Sequence, residues 1–355
     1  MNYITFVMVI FSMLGAVDRI IGNRFGLGKE FEKGFMLLGT MALSMIGMII
    51  ISPFIAETFR PVFGWVYNTL HIEPSIISAS LFANDMGGAP LSVEISQNAQ
   101  IGSFNALVVS SMMGATVSFT IPYAIGIVKK EMHRELFLGM LCGIVTIPIG
   151  CAVSGIMCGL DVLEILLNLL PLVIFSVLIG AGLLLIPDFC VKAFSILGIA
   201  IKIIITIGLA LGILRFLTGI ELVKNLSTLE DGAAVCLNAS AVMTGAFPLI
   251  YTVSKILSKL LKVLSRKIGI SETAAVGLVS TLATNATTFE MMNRMDKKGA
   301  VLNSAFAVSA AFTFAAHLAF TLAFDASYLI PVITGKIVSG LFSLVLAAVI
   351  YKRLY

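Results

Sequence analysis

Charge is scarce in this chain. Asp, Glu, Lys and Arg make up only 12% of its 355 residues, against 59% hydrophobic residues, where a soluble domain carries roughly 25% charged residues. That deficit excludes an ordinary water-soluble fold. It also leaves no nucleic-acid surface, because the basic residues stand at the ends of apolar runs rather than in a patch. Cysteine is sparse too. Cys142, Cys151, Cys158, Cys190 and Cys236 lie inside apolar runs without metal-ligand spacing, so neither a redox site nor a zinc site is indicated. Enzyme signatures are missing as well: the sequence has no GxSxG, no P-loop, no HExxH, no cluster of metal-binding acids and no large polar loop. No metal, no cofactor and no catalytic residue is expected. The first apolar run has no basic region before it and no small-residue cleavage site after it, so a signal peptide is not expected either.

What the chain has in abundance is long apolar stretches. Runs at 3–17, 34–57, 101–128, 135–158, 163–186, 194–217, 232–254, 300–324 and 328–351 approach or exceed the roughly 20 residues of helix that cross a hydrocarbon core. The expected fold is therefore an all-α polytopic membrane protein with about nine transmembrane helices. Basic residues set its orientation. Arg19, Arg24, Lys29 and Lys33 after the first run, Lys129, Lys130 and Arg134 after the third, Lys255, Lys259, Lys262, Arg266 and Lys267 after the seventh, and Lys352 and Arg353 at the end mark the cytoplasmic side. The N-terminus would then be outside and the C-terminus cytoplasmic.

Two stretches do not fit as spans. Residues 74–96 hold two apolar arms of about ten residues each, too short to cross, which meet at Asn84-Asp85-Met86-Gly87-Gly88-Ala89-Pro90. A Gly-Gly pair and a proline disfavour continuous helix, and loose backbone at membrane depth survives only where protein or water lines it. If this stretch crossed, Lys129, Lys130 and Arg134 would face outward. A re-entrant hairpin from outside keeps them in. Residues 272–296 repeat the pattern around Thr284-Asn285-Ala286-Thr287-Thr288 with basic residues on the C-terminal side and upstream of the stretch, so this hairpin is expected to enter from the cytoplasm. The order span, span, re-entrant stretch, span, span thus occurs twice with opposite orientation. The expected organisation is an inverted repeat: residues 1–158, a connecting span at 159–193, and residues 194–355. Inverted repeats with broken helices meeting near the midplane are an architecture of secondary transporters.

The residues also carry a family likeness. AVDRI at 16–20, FEKGFM at 31–36, NDMGG at 84–88, SSMMG at 110–114, GIVTIPIGC at 143–151, STLATN at 280–285, MDKKGAVLNSAFAVSAAF at 295–312 and HLAF at 317–320 resemble the ethanolamine permease family encoded with ethanolamine-utilisation enzymes, EutH, from end to end. The resemblance implies an inner-membrane protein of bacteria that admits ethanolamine, not an enzyme. The family pattern allows a carboxylate just before its histidine. Ala316 stands there before His317, which weakens a proton-relay role for that histidine.

Ethanolamine is an ammonium with a hydroxyl two carbons away, so its site needs a negative group at one end and a hydrogen-bonding group at the other. Asp85 is the leading ammonium ligand, helped by the C-terminal carbonyls of the arm before it; capping the next arm, or pairing with Lys202 or Lys336, is its structural alternative. Gly87 and Gly88 would let backbone approach the ligand. Asn285, with Thr284 and Thr288 beside it, is the candidate for the hydroxyl, and Asn84 is a weaker one; each could equally satisfy loose backbone in its turn. Glu94 and Glu290 read as mouth residues, with coupling as the sharper role. Asn105 and Asn303 start corresponding helices and read as caps or gating groups. His317 reads as a buried neutral histidine or a gating group. Lys202 and Lys336 stand near enough to span ends to snorkel, although Lys336 could pair with a site carboxylate. The expected mode is potential-driven uniport, with an ion-coupled carrier of another small amine or polar metabolite as the alternative and a membrane enzyme acting on amino-alcohol lipids behind it. The expected partners are the substrate amine and the bilayer, and a homo-oligomer is compatible with the sequence.

Overall fold

The computed structural model describes residues 3–354, and within them says nothing of the side chains of residues 3–4, 184, 191, 254 and 257–268. Lys259, Lys262, Arg266 and Lys267, on which part of the expected orientation leans, therefore lie outside the described side chains. Among the described residues every regular element is helical: α1 (Tyr3–Ile20), α2 (Leu27–Thr58), α3 (Arg60–Leu70), α4 (Ser75–Leu81), α5 (Gly88–Ile95), α6 (Ala99–Ile127), α7 (His133–Met157), α8 (Val162–Leu185), α9 (Pro187–Thr218), α10 (Leu229–Ile268), α11 (Glu272–Ala283), α12 (Asn285–Met292), α13 (Lys297–Ser309), α14 (Ala316–Phe324) and α15 (Leu329–Leu354). Among the described residues seven helical segments are long and apolar enough to cross a membrane. The chain is an all-α polytopic membrane protein.

Two helices each gather a group of neighbours, with α14 packed on α10 between the groups. Helix α2 packs on α1, α9 and α10, whereas α7 packs on α8, α13 and α15. Small residues let the backbones close in. Gly47 of α2 lies so near α9 that a Cβ there would sit 1.8 Å from the carbonyl oxygen of Ile205, the kind of approach by which helices associate in lipid. Helix α6 is the most enclosed of the spanning segments, 94% buried over its apolar window. Over Asn105–Gly114 and Thr116–Thr120 it winds in the wider π manner, which is frequent at functional sites.

Both short-armed stretches fold back as helical hairpins. In the first, α4 and α5 are joined by Ser78 Oγ and Ser92 Oγ at 2.7 Å. Its mouth is closed by Glu73, whose carboxylate accepts the backbone N–H groups of Gln97 (2.9 Å) and Asn98 (3.1 Å), so the chain leaves where it came in. In the second, Thr281 Oγ1 meets Thr288 Oγ1 at 2.9 Å. Asp296 closes that mouth, accepting from the N–H of Ser271 at 2.7 Å and that of Gly299 at 3.0 Å.

One expected span is different. The run 300–324 is not a single helix: α13 stops at Ser309 and α14 begins at Ala316. Phe312 takes a left-handed backbone, φ 60°. Its N–H donates to the Thr281 carbonyl (3.2 Å), and that of Phe314 to the Leu282 carbonyl (3.0 Å). The carbonyls of the last turn of α11 have no helical partner, and the interruption of the next helix supplies one. Neither glycine nor proline stands in 310–315, so the break is a tertiary product.

Candidate functional site

The first hairpin tip is built from Phe82 to Gly88. Phe82 and Ala83 are extended, Asn84–Met86 form a tight turn, and Gly87 adopts φ 92°. A left-handed φ suits glycine, and packing demands it too: a Cβ at Gly87 would meet Met48 Cγ at 2.0 Å. Gly114 of α6 has the same duty, since a Cβ there would meet the Phe82 carbonyl oxygen at 1.9 Å. The tip is held to α6 by the Ala83 N–H, which donates to Ser118 Oγ at 3.1 Å. At the second tip Thr284 is extended and its Oγ1 caps α12 through the Ala286 N–H at 3.2 Å. Asn285 Nδ2 donates to Thr120 Oγ1 at 2.9 Å. Ser118 and Thr120 are two residues apart on one helix, so the two tips converge there.

Asp85 lines a cavity of about 320 Å³ together with Thr40, Met41 and Ser44 of α2, Phe119 of α6, Phe312 and His317. Among the described residues it is the only carboxylate on that wall. A neighbouring cavity of about 410 Å³, reaching Glu30, Lys33 and Tyr251, shares Leu37, Phe312 and Ala316 with it and touches Thr284. Phe312 stands between the two. Its ring packs on Phe119 (5.6 Å between centroids, edge-on) and on His317 (5.1 Å), and Phe119 stacks on Tyr123 at 5.2 Å.

Behind Asp85 lies a chain of charge. His317 Nε2 is 3.7 Å from Asp85 Oδ1. On its other side Lys336 Nζ lies 3.1 Å from His317 Nδ1 and donates to the Ser111 carbonyl at 2.6 Å. With Lys336 charged, Nδ1 accepts from the ammonium, and the imidazole is then neutral with its proton on Nε2, toward the carboxylate. Exposure falls along the chain: the Asp85 side chain is 20% exposed, that of His317 2%, and Lys336 is 1% exposed. The cavity can therefore offer a cation one carboxylate, an aromatic wall, and two hydroxyls. Thr40 Oγ1 and Ser44 Oγ donate to carbonyls of their own helix, which leaves their oxygens free to accept.

The remaining candidates fall in several places. Asn84 is fully buried, and among the described residues neither atom of its amide has a hydrogen-bond partner. Gly88 packs against the carbonyls of Phe82 and Ala83. Asn285 and Thr288 are buried and line neither cavity; Thr288 Oγ1 also donates to the Gly277 carbonyl at 3.0 Å. Asn105 and Asn303 stand inside helices rather than at their starts, which Asn98 and Asp296 cap. Asn105 exchanges two bonds with Asn168 of α8 (3.0 and 2.7 Å) and donates to Ser75 Oγ of the first hairpin at 2.9 Å. Asn303 donates to the Ala274 carbonyl of the second at 2.9 Å. Glu94 is exposed beside Glu57 and Arg60, and Glu290 is exposed and accepts from Tyr123 Oη at 3.1 Å. Lys202 is exposed, whereas Lys336 does not snorkel. Sequence reasoning missed Thr40, Ser44, Phe119 and Phe312; the spacing of Thr40 and Ser44 by four on an apolar helix was the one available signal.

Among the described residues no group of three or more His, Cys, Asp or Glu is placed to hold a metal ion. No solved structure matches the chain. It is 40% identical over 337 residues to a probable ethanolamine permease EutH of Listeria monocytogenes, covering 95% of this chain and 90% of the relative. It is 35% identical to the probable ethanolamine permease EutH of Salmonella typhimurium, over 99% of this chain and 95% of that one, and 34% identical, with the same coverage, to its Escherichia coli counterpart. The family model described as ethanolamine utilisation protein, EutH, matches residues 1–350, and the chain belongs to that family.

Proposed function

We propose that this protein is a permease that brings ethanolamine across the bacterial cytoplasmic membrane by potential-driven uniport. The observation that carries the reading is Asp85, among the described residues the sole carboxylate on a cavity wall where two broken-helix tips converge. The ammonium docks on Asp85 against Phe119 and Phe312, whose ring faces favour a cation, and the hydroxyl donates to Thr40 or Ser44. Relatives named as probable ethanolamine permeases support the substrate. The inverted repeat, 1–158 against 194–355 about the span at 159–193, is supported by the grouping of the helices. The first two spans of each half, α1, α2, α9 and α10, pack together on α2, and α7, α13 and α15 of the later spans pack together, while α6 and α14 touch both groups and a hairpin of each half reaches the seam. On this reading the face bearing Lys33 and Lys129 is cytoplasmic, the N-terminus is outside, and the larger cavity opens inward.

A membrane potential alone suffices as driving force, at about 2.3 kcal/mol per charge per 100 mV, or roughly forty- to fiftyfold accumulation. The test is uptake of labelled ethanolamine into vesicles containing the purified protein, with an inside-negative potential and no sodium or proton gradient. Saturable uptake is expected. Uptake that appears only when an ion gradient is restored would overturn uniport, and no saturable uptake under any gradient would overturn the permease itself.

A further inference from the structure

Lys336 is a primary ammonium, the same head group that the proposed substrate carries, and it is buried near the acid to which that substrate is assigned. Among the described residues its nitrogen has two partners, the Ser111 carbonyl and His317 Nδ1. Neither bears a negative charge. The nearest compensation along this chain of contacts is Asp85, reached through His317. A buried cation and a buried anion separated by one neutral imidazole form a balanced set, whereas either one alone would be costly to keep away from water. Adding a second cation at Asp85 changes the set: the carboxylate then belongs to the guest, and Lys336 is left with the carbonyl of Ser111 and the imidazole. The π winding of α6 over Asn105–Gly114 surrounds that carbonyl, which holds the ammonium at 2.6 Å without any acid.

We propose that Lys336 is an internal stand-in for the substrate: when the site carries no amine, its ammonium neutralises Asp85 through His317 and so permits the unloaded protein to reorient. The inference rests on the permease reading, with Asp85 as the ammonium ligand, and adds the residue that governs the empty half of the cycle. His317 then serves as spacer, conveying the field of the lysine to the acid while keeping the two from locking together. A tight Asp–Lys pair would exclude the substrate. A lysine with no route to Asp85 would leave the acid unbalanced on every return.

The two halves of a carrier cycle can be measured apart. Net uptake into empty vesicles needs the unloaded protein to return, while exchange of labelled for unlabelled ethanolamine needs only loaded steps. Lys336→Met in full-length protein, reconstituted and shown to be monodisperse, is expected to lower net uptake about tenfold or more while exchange stays within about threefold of wild type. Its apparent affinity in exchange is expected to be unchanged or tighter, since a competing ammonium is gone. A lysine that merely held the helices together would move both fluxes in parallel. Parallel loss, or a net uptake in Lys336→Met equal to wild type, would overturn the proposal. Because removing one buried charge strains folding, the double variant Asp85→Asn with Lys336→Met provides a charge-balanced control. Its affinity falls, but its ratio of net uptake to exchange is expected to return to that of wild type, and a ratio as low as that of the single variant would also overturn the proposal. Absence of both fluxes in the wild type would instead sink the permease reading, and this one with it.

Discussion

Asp85→Asn separates charge from shape at the cavity wall. The substitution keeps the size of the side chain and one carbonyl oxygen, and removes the negative charge. At about 4 Å and an effective dielectric near 20, a carboxylate attracts an ammonium by about 4 kcal/mol. Much of that is offset. Both ions lose water on meeting, and His317 already leans on one carboxylate oxygen from 3.7 Å. The net value of a hydrogen bond to a charged group is about 1.5–3 kcal/mol. Because 20% of the Asp85 side chain remains exposed to the cavity, the lower end applies, and the loss is at least about 1.4 kcal/mol, a tenfold or greater weakening of apparent affinity. The assay is the concentration dependence of labelled ethanolamine uptake at fixed potential, wild type against Asp85→Asn, each reconstituted at equal density. Normal affinity in a folded variant removes Asp85 from the site and with it the electrostatic argument.

Three further outcomes follow from the geometry. Glu73→Ala unpairs the N–H groups of Gln97 and Asn98, at about 1–3 kcal/mol each if they stay dry, so the thermal midpoint in detergent should fall; an unchanged midpoint would mean that the first hairpin needs no clamp. Asp296 is pushed up by burial but held down further by the N–H groups of Ser271 and Gly299, so its pKa lies below the ordinary 3.8. A depressed carboxylate stabilises the fold above its unfolded pKa and loses that contribution as pH falls through the folded value; the stability gap between wild type and Asp296→Asn should hold steady from about pH 8 to about pH 5 and narrow below about pH 4, and a gap that widens on acidification would reverse the assignment. Phe312→Ala merges the two cavities that share this ring, so bulkier N-alkylated amines should compete better against labelled ethanolamine than they do with wild type; unchanged competition would show that the ring does not set the width of the passage.

Much of this architecture was legible because membranes impose strong rules on sequence. The two hairpins announced themselves through arms too short to cross and through Asn84–Pro90 and Thr284–Thr288, where a helix has chemical reason to stop. The break at 310–315 had no such announcement. Ala-Ala-Phe-Thr-Phe-Ala is acceptable helix, and only the unpaired carbonyls of Thr281 and Leu282, brought near by the fold, draw its N–H groups away. The clamps were invisible for the same reason: Glu73 and Asp296 look like ordinary loop acids until the chain returns to them. Lys336 stands eight residues into the last apolar run, where a long side chain can reach water. Its partners come from α6 and α14, remote in sequence, and only packing selects the buried rotamer. Asn105, readable as a cap, turns instead to Asn168 and Ser75, a choice fixed by which helix lies opposite.

The division of the cavity wall constrains how a cation can be moved. Asp85, His317, Lys336 and Ser111 belong to the first hairpin, α14, α15 and α6, and both hairpin tips are tied to α6 within a span of three residues, at Ser118 and Thr120. Thr40 and Ser44 belong to α2, which packs with α1, α9 and α10. On the proposed reading the charged groups stand on the first hairpin, α14, α15 and α6 and the hydroxyls on α2, with α14 packed on α10 and the hairpin on α2 where the two sets meet. On that reading a displacement of α2 past the charged groups would change how the hydroxyl end is met while leaving the distances among acid, imidazole and lysine as they are. Separating charges inside a low-dielectric interior is costly, and a seam that runs beside the charged chain rather than through it would avoid that cost. Glycine contacts at the α2–α9 crossing, Gly47 against Ile205 and Gly208 against the Gly47 carbonyl, bring backbone to backbone, and Ile51 and Ile50 of α2 seat against Gly208 and Gly212, so α2 and α9 are held closely to one another.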